Sequence, residues 1–131
     1  MNFYRLSLTL SLLALTACGP QPNLVVPEPY QEGQKIYHKV CGNCHGADAL
    51  GKNVKAPKLI DEEYLAVHFS DDDFKNQIID GSDKMPSMKG KVSDADIDQI
   101  IKYLRYSQKA AGLEPEDEEE DLEEEPEGQT P

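Results

Sequence analysis

"CGNCHG", residues 41–46, is the stretch on which the reading of this chain turns. Two cysteines stand three positions apart, and a histidine follows the second directly. Side chains in this pattern can hold a zinc ion, form a redox disulfide, or anchor something larger. The rest of the chain decides among these.

With 131 residues there is room for one small domain plus extensions. Trp is absent and only three Phe are present, so a core built from these side chains alone would be thin. Small domains of that kind usually need a covalent or metal staple. The net charge of −12 excludes a general nucleic-acid binder, which needs a basic surface.

Residues 1–17 read as an export signal. Arg5 supplies the positive start, and Leu6–Leu15 the apolar run, which is shorter than the roughly 20 residues a spanning helix needs. "LTAC", residues 15–18, resembles the bacterial lipobox, in which the cysteine becomes the lipid-bearing N-terminus. Cys18 is therefore expected to be lipidated, and several acyl chains anchor stably where one is marginal. The expectation is a chain held to the periplasmic side of a bacterial membrane rather than threaded through it.

Lipidation of Cys18 leaves Cys41 and Cys44 as the remaining cysteines, so no structural disulfide framework is available. Composition divides the rest of the chain. Residues 18–29, with four prolines, read as a stiff extended tether reaching some 30 Å at about 3.1 Å per residue. Residues 30–112 carry all the amphipathic pattern. Residues 113–131 hold eleven acidic residues and no basic one, as expected of a disordered tail.

Within the middle block, Gly33, Ile36, Tyr37 and Val40 follow the spacing that lines one helix face, and Ile97, Ile100, Ile101 and Leu104 repeat it. Ser93 is a suitable N-cap for the second helix, with Asp94 and Asp96 in its first turn. "SDDDFKNQIIDG" reads as a shorter helix capped by Ser70 and stopped by Gly81. No run alternates as a strand would. The domain is expected to be all-α.

Zinc now lacks its second ligand pair, since His38 and His68 are isolated. His38 is placed by the pattern on the charged side of its helix, with no role. A thioredoxin-like CxxC lacks its βαβ setting. The chemistry left is CxxCH as the attachment site of c-type haem. Two thiols one helical turn apart can each add across a haem vinyl group, and His45 is then held beneath the iron. The porphyrin itself completes the thin core.

Residues 30–107 resemble a small bacterial class I c-type cytochrome. "GQKIYHKVCGNCHG" is similar to the family's first helix running into CxxCH, and "APKL" (56–59) to its Pro-x-Leu segment. "GSDKMP" (81–86) is similar to its Met-Pro loop, and "VSDADIDQIIKYLRY" to its last helix. The resemblance implies the cytochrome c fold around one covalent haem c. Cys41 and Cys44 would form the thioethers, and His45 and Met85 would ligate the iron. The Pro57 carbonyl would accept the His45 ring N–H. Gly33 and Tyr37 would cross Ile100 and Tyr103. Met88 and His68 are the competing candidates for the distal position.

With both axial positions filled, the iron could only exchange electrons, and His/Met ligation raises the potential above that of bis-His. The expected function is a membrane-tethered single-electron carrier between respiratory complexes, or a haem subunit of one. Redox proteins are the expected partners, and neither an enzymatic activity nor a small-molecule substrate is expected. The alternative is a haem enzyme or gas sensor in which Met85 dissociates. Lys52, Lys55, Lys58, Lys84, Lys89 and Lys91 flank the CxxCH and Met85 loops and are expected to form a basic docking rim, while the acidic tail either only solvates the protein or competes for that rim.

Overall fold

Pro29 falls in the first turn of helix α1 (Glu28–Val40) in the computed structural model, which describes residues 20–52 and 56–113. A proline fits there because its missing N–H would have no partner in the helix. The helix thus starts inside the segment expected to be a tether. Residues ahead of it are also laid on the domain: Val26 is buried in the core, and Asn23 and Leu24 donate backbone N–H groups to Asp48. The stand-off tether expected from the prolines is corrected for residues 20–27, where burial of Val26 and pairing of the backbone outweigh extension. The signal peptide, Cys18, Lys55 and residues 114–131 lie outside the described residues.

α1 runs into α2 (Gly42–His45), a single turn carrying the second cysteine and the histidine. α3 (Asp71–Asp80) begins at Ser70, whose hydroxyl accepts from the Asp73 N–H while the Asp73 carboxylate accepts from the Ser70 N–H. α4 (Asp94–Ala110) begins with the same reciprocal arrangement between Ser93 and Asp96. Each such cap satisfies two helix-end donors. No strand forms among the described residues, and the fold is all-α.

The scaffold is the crossing of α1 and α4. A Cβ on Gly33 would stand 2.0 Å from the Gln99 carbonyl oxygen, so only glycine permits this approach. Tyr37 and Tyr103 meet with ring centroids 5.5 Å apart, and Tyr30 stacks on Tyr106 at 4.2 Å. Ile97, Ile100, Ile101 and Leu104 are all buried, as their spacing predicts.

Two further α4 residues hold the connection from Leu59 to Phe69. Gln108 is fully buried and its amide donates to the carbonyls of Leu59 and Tyr64, at 3.0 and 2.9 Å. Arg105 donates to the carbonyls of Tyr64 and Phe69 and to Asp71. This connection holds only a short 3-10 turn (Glu62–Tyr64) and bends, so side chains from α4 take over part of the pairing its backbone requires.

Candidate haem site

The CxxCH turn is folded by its own backbone. The amides of Cys44 and His45 both donate to the Cys41 carbonyl, at 3.1 and 3.0 Å, and Gly46 donates to Gly42. The chain then reverses at Gly46 (φ 83°), where a Cβ would stand 2.3 Å from the Gly51 carbonyl oxygen. Tyr37, fully buried on α1, donates its hydroxyl to the Gly46 carbonyl at 3.0 Å. The turn is thereby fixed to the α1–α4 scaffold.

Cys41, Cys44, His45, Pro57 and Met85 all line one cleft of about 330 Å³. Ligand pockets typically hold about 300–1,000 Å³. Its apolar lining includes Leu59, Tyr64, Phe69, Phe74, Ile78, Ile100 and Leu104. His45 Nδ1 lies 2.9 Å from the Pro57 carbonyl, which sets Nδ1 as the protonated nitrogen and leaves Nε2 as the free donor. Such an orienting carbonyl also raises the basicity of the ring as a metal ligand.

The loop bearing Met85 is pinned at both ends. Gly81 (φ 74°) opens it, and a Cβ there would stand 2.5 Å from the Met85 carbonyl oxygen. The Ser82 amide donates to that carbonyl at 2.7 Å, and the Ser82 hydroxyl accepts from the Met85 amide at 3.2 Å. Met88 also lines the cleft, its amide donating to the Ile78 carbonyl at 3.0 Å. His68, the remaining candidate for the distal position, is exposed and does not line the cleft.

These residues fit a c-type haem. Two thiols, one oriented imidazole and a thioether line one largely apolar space. The Cys41 thiol is not set up for redox exchange: burial, with a contribution from Cys44, pushes it up to about 12. Reactive cysteines carry lowered values. Among the described residues no group of three or more His, Cys, Asp or Glu could hold a metal ion, so the donor set does not resemble a zinc site.

Three features in and around the site escape the sequence reading. Gln77 lines the cleft and its amide donates to the Met85 sulfur at 3.7 Å. It follows Phe74 at i+3 on the apolar stripe of α3, and a polar residue on such a stripe is the signal that marks it. Lys58 is ion-paired with Asp61 at 2.7 Å, so its charge in the expected basic rim is compensated. His38 is the third, and its expected place on the charged face is corrected: it is buried. Its Nδ1 lies 2.7 Å from the Gln34 carbonyl, and its Nε2 accepts from the Asp48 amide at 3.1 Å. Its ring serves two backbone groups, which its helical position alone does not reveal.

A family model described as cytochrome c oxidase, cbb3-type, subunit III matches residues 28–104. The cbb3-type cytochrome c oxidase subunit FixP of Rhizobium meliloti (strain 1021) is 38% identical over 55 residues, 41% of this chain and 17% of that protein. The c-type cytochrome XoxG from Methylobacterium extorquens AM1 has a similar structure, with a TM-score of 0.52 and 27% identity. That likeness covers 61% of this chain and 50% of XoxG. The chain thus spans only part of the length of each relative.

Proposed function

Because the chain belongs to the family of cytochrome c oxidase, cbb3-type, subunit III, and has the all-α fold of a c-type cytochrome with haem c as its cofactor, we propose that it is a membrane-tethered carrier of single electrons. It works between membrane-bound redox proteins or as the haem subunit of one. Cys41 and Cys44 would hold the haem through thioethers, His45 and Met85 would ligate its iron, and the Pro57 carbonyl orients His45. When bound, the haem iron supplies a one-electron couple.

The chain's own residues do the rest. Apolar side chains around the cleft keep water from the cofactor and lower the local dielectric, which influences the potential. Gln77 and Ser82 fix the Met85 loop, so little reorganisation accompanies a change of charge. The observation that carries the reading is that His45 and Met85 line the same cleft as both cysteines. With His45 and Met85 both given to the iron, no position would be left open for a substrate.

The anchor rests on the N-terminal sequence: a positive residue, a short apolar run and the lipobox-like "LTAC" ending at Cys18. Among the described residues no helix is long and apolar enough to cross a membrane. The reading is tested by redox titration of the purified holoprotein together with Cys18→Ser. A single reversible one-electron wave is expected, with the substituted protein moving to the soluble exported fraction. Rapid turnover of peroxide or nitrogen oxides, or a ferric spectrum lacking the far-red band of Met ligation, would overturn it.

A further inference from the structure

Asp48 is a buried carboxylate that the haem site does not use. It is 1% exposed, three residues beyond His45, and stands in the left-handed region at φ 54°. Such a conformation costs a non-glycine residue about 1–3 kcal/mol, so the surrounding bonds must hold it. The Asp48 amide donates to His38 Nε2 at 3.1 Å. Its carboxylate accepts from Asn23 N–H at 2.7 Å, from Leu24 N–H at 3.3 Å and from the Gln34 amide at 3.4 Å. Gln34 also donates to the Leu24 carbonyl at 2.8 Å, and Gln31 to the Val26 carbonyl at 3.2 Å. These bonds fasten residues 23–26 to α1 and to the loop behind the CxxCH turn.

The fastening reaches further toward the N-terminus. A Cβ on Gly42 would stand 3.0 Å from Pro20 Cγ, so the proline ring lies against the turn between Cys41 and Cys44. Cys18 is two residues before Pro20. At no more than roughly 3.6 Å per residue, two residues of chain reach at most about 7 Å. Four large apolar side chains are exposed among the described residues, and two of them, Leu24 and Val25, are consecutive in this strap, Val25 at 95%.

Resting on lipidation of Cys18, we propose that residues 20–26 form a latch, closed by Asp48, that holds the haem-attachment turn at the bilayer surface with Leu24 and Val25 in the lipid–water interface. The lipid anchor then sets a short, fixed stand-off. Exposed apolar side chains beside an acyl anchor gain by entering the interface, adding to the affinity that the acyl chains supply. Such a protein exchanges electrons with partners embedded in its own membrane.

The test uses the lipidated holoprotein in vesicles of phosphatidylethanolamine and phosphatidylglycerol containing a trace of headgroup-labelled fluorescent lipid. Haem quenches that fluorophore by energy transfer, which falls steeply with distance. Three variants are compared: a Gly/Ser spacer as long as the strap inserted after Gly19, Asp48→Ala, and Leu24→Ser with Val25→Ser. The native protein should quench strongly, and all three variants should lose quenching while still floating with the vesicles. The spacer keeps every latched contact, so it decides the matter even where Asp48→Ala fails to fold. Equal quenching by native and spacer proteins, both floating, would overturn the latch alone. Unchanged quenching by the serine pair would overturn the lipid-facing assignment and point to a protein occupant. A native protein that does not float would overturn the lipidation reading, and the latch proposal with it.

Discussion

The Gln77 amide nitrogen stands 3.7 Å from the Met85 sulfur, a donor from α3 aimed at the side chain proposed as the distal ligand. A hydrogen bond to a thioether draws electron density from it and weakens its donation to ferric iron. Gln77→Leu is therefore expected to lower the reduction potential and to slow cyanide binding to the ferric protein, with the haem still attached. Redox titration and stopped-flow absorbance measure the two effects. An unchanged potential would reduce Gln77 to a packing residue.

Met85 and Met88 line the same cleft, so position alone does not separate them. The pinning of Met85 between Gly81 and Ser82, with Gln77 on its sulfur, does. Met85→Ala is expected to abolish the far-red band of Met ligation and to open the iron to carbon monoxide. Met88→Ala should do neither, and because Met88 is only half-buried it should cost less than the about 2–5 kcal/mol of a truncated core methionine. The assignment is reversed if Met88→Ala is the change that opens the iron.

Covalent attachment gives a simpler expectation. Produced with a haem-maturation system, the native protein should retain haem stain in a denaturing gel. Cys41→Ala combined with Cys44→Ala should lose all of it. Each single substitution should retain one thioether, and the α-band should shift toward the red as a vinyl group is restored. Undiminished staining of the double variant would refute attachment at this turn.

Much of this was legible in the sequence, for a physical reason. Helix caps and apolar periodicity are local, so Ser70, Gly81, Ser93 and the Ile97–Leu104 stripe appear where their spacing places them. What was hidden depends on contacts between distant segments. Asp48 binds Asn23 across 25 residues, and Gln108 binds Leu59 across 49. Neither carries a local signature beyond a polar side chain where burial was not foreseen. Pro29 misled because it can either break a helix or open one, and burial of Val26 decides which.

Gly33→Ala sets two magnitudes against each other. Alanine gains about 1 kcal/mol of helix propensity over glycine. Its Cβ would stand 2.0 Å from the Gln99 carbonyl oxygen and 2.8 Å from the Tyr103 Cβ, and the first of these is backbone that cannot rotate away. Overpacking of this kind costs about 1–3 kcal/mol, occasionally more. The clash outweighs the propensity. The urea midpoint of the holoprotein is expected to fall, and a rise would mean that α1 and α4 cross elsewhere.

The same crossing predicts how stability responds to alkali. Tyr103 is buried, and that burial, with Asp48 nearby, pushes its phenol from 10.0 up to about 12. Tyr37 is raised as well, again chiefly by burial and next by Cys41. Both phenols thus hold their protons more tightly in the folded state than in the unfolded chain. Below pH 10 neither state ionises and the full stability is present. Above it the unfolded chain releases protons that the folded one keeps, so stability falls as pH rises from 10 toward 12. Each such phenol contributes a slope of about −1.4 kcal/mol per pH unit in that window. Urea unfolding across the range should show the decline beginning near pH 10, with a shallower slope in Tyr103→Phe. A slope left unchanged by that substitution would show that Tyr103 ionises no differently in the folded and unfolded states.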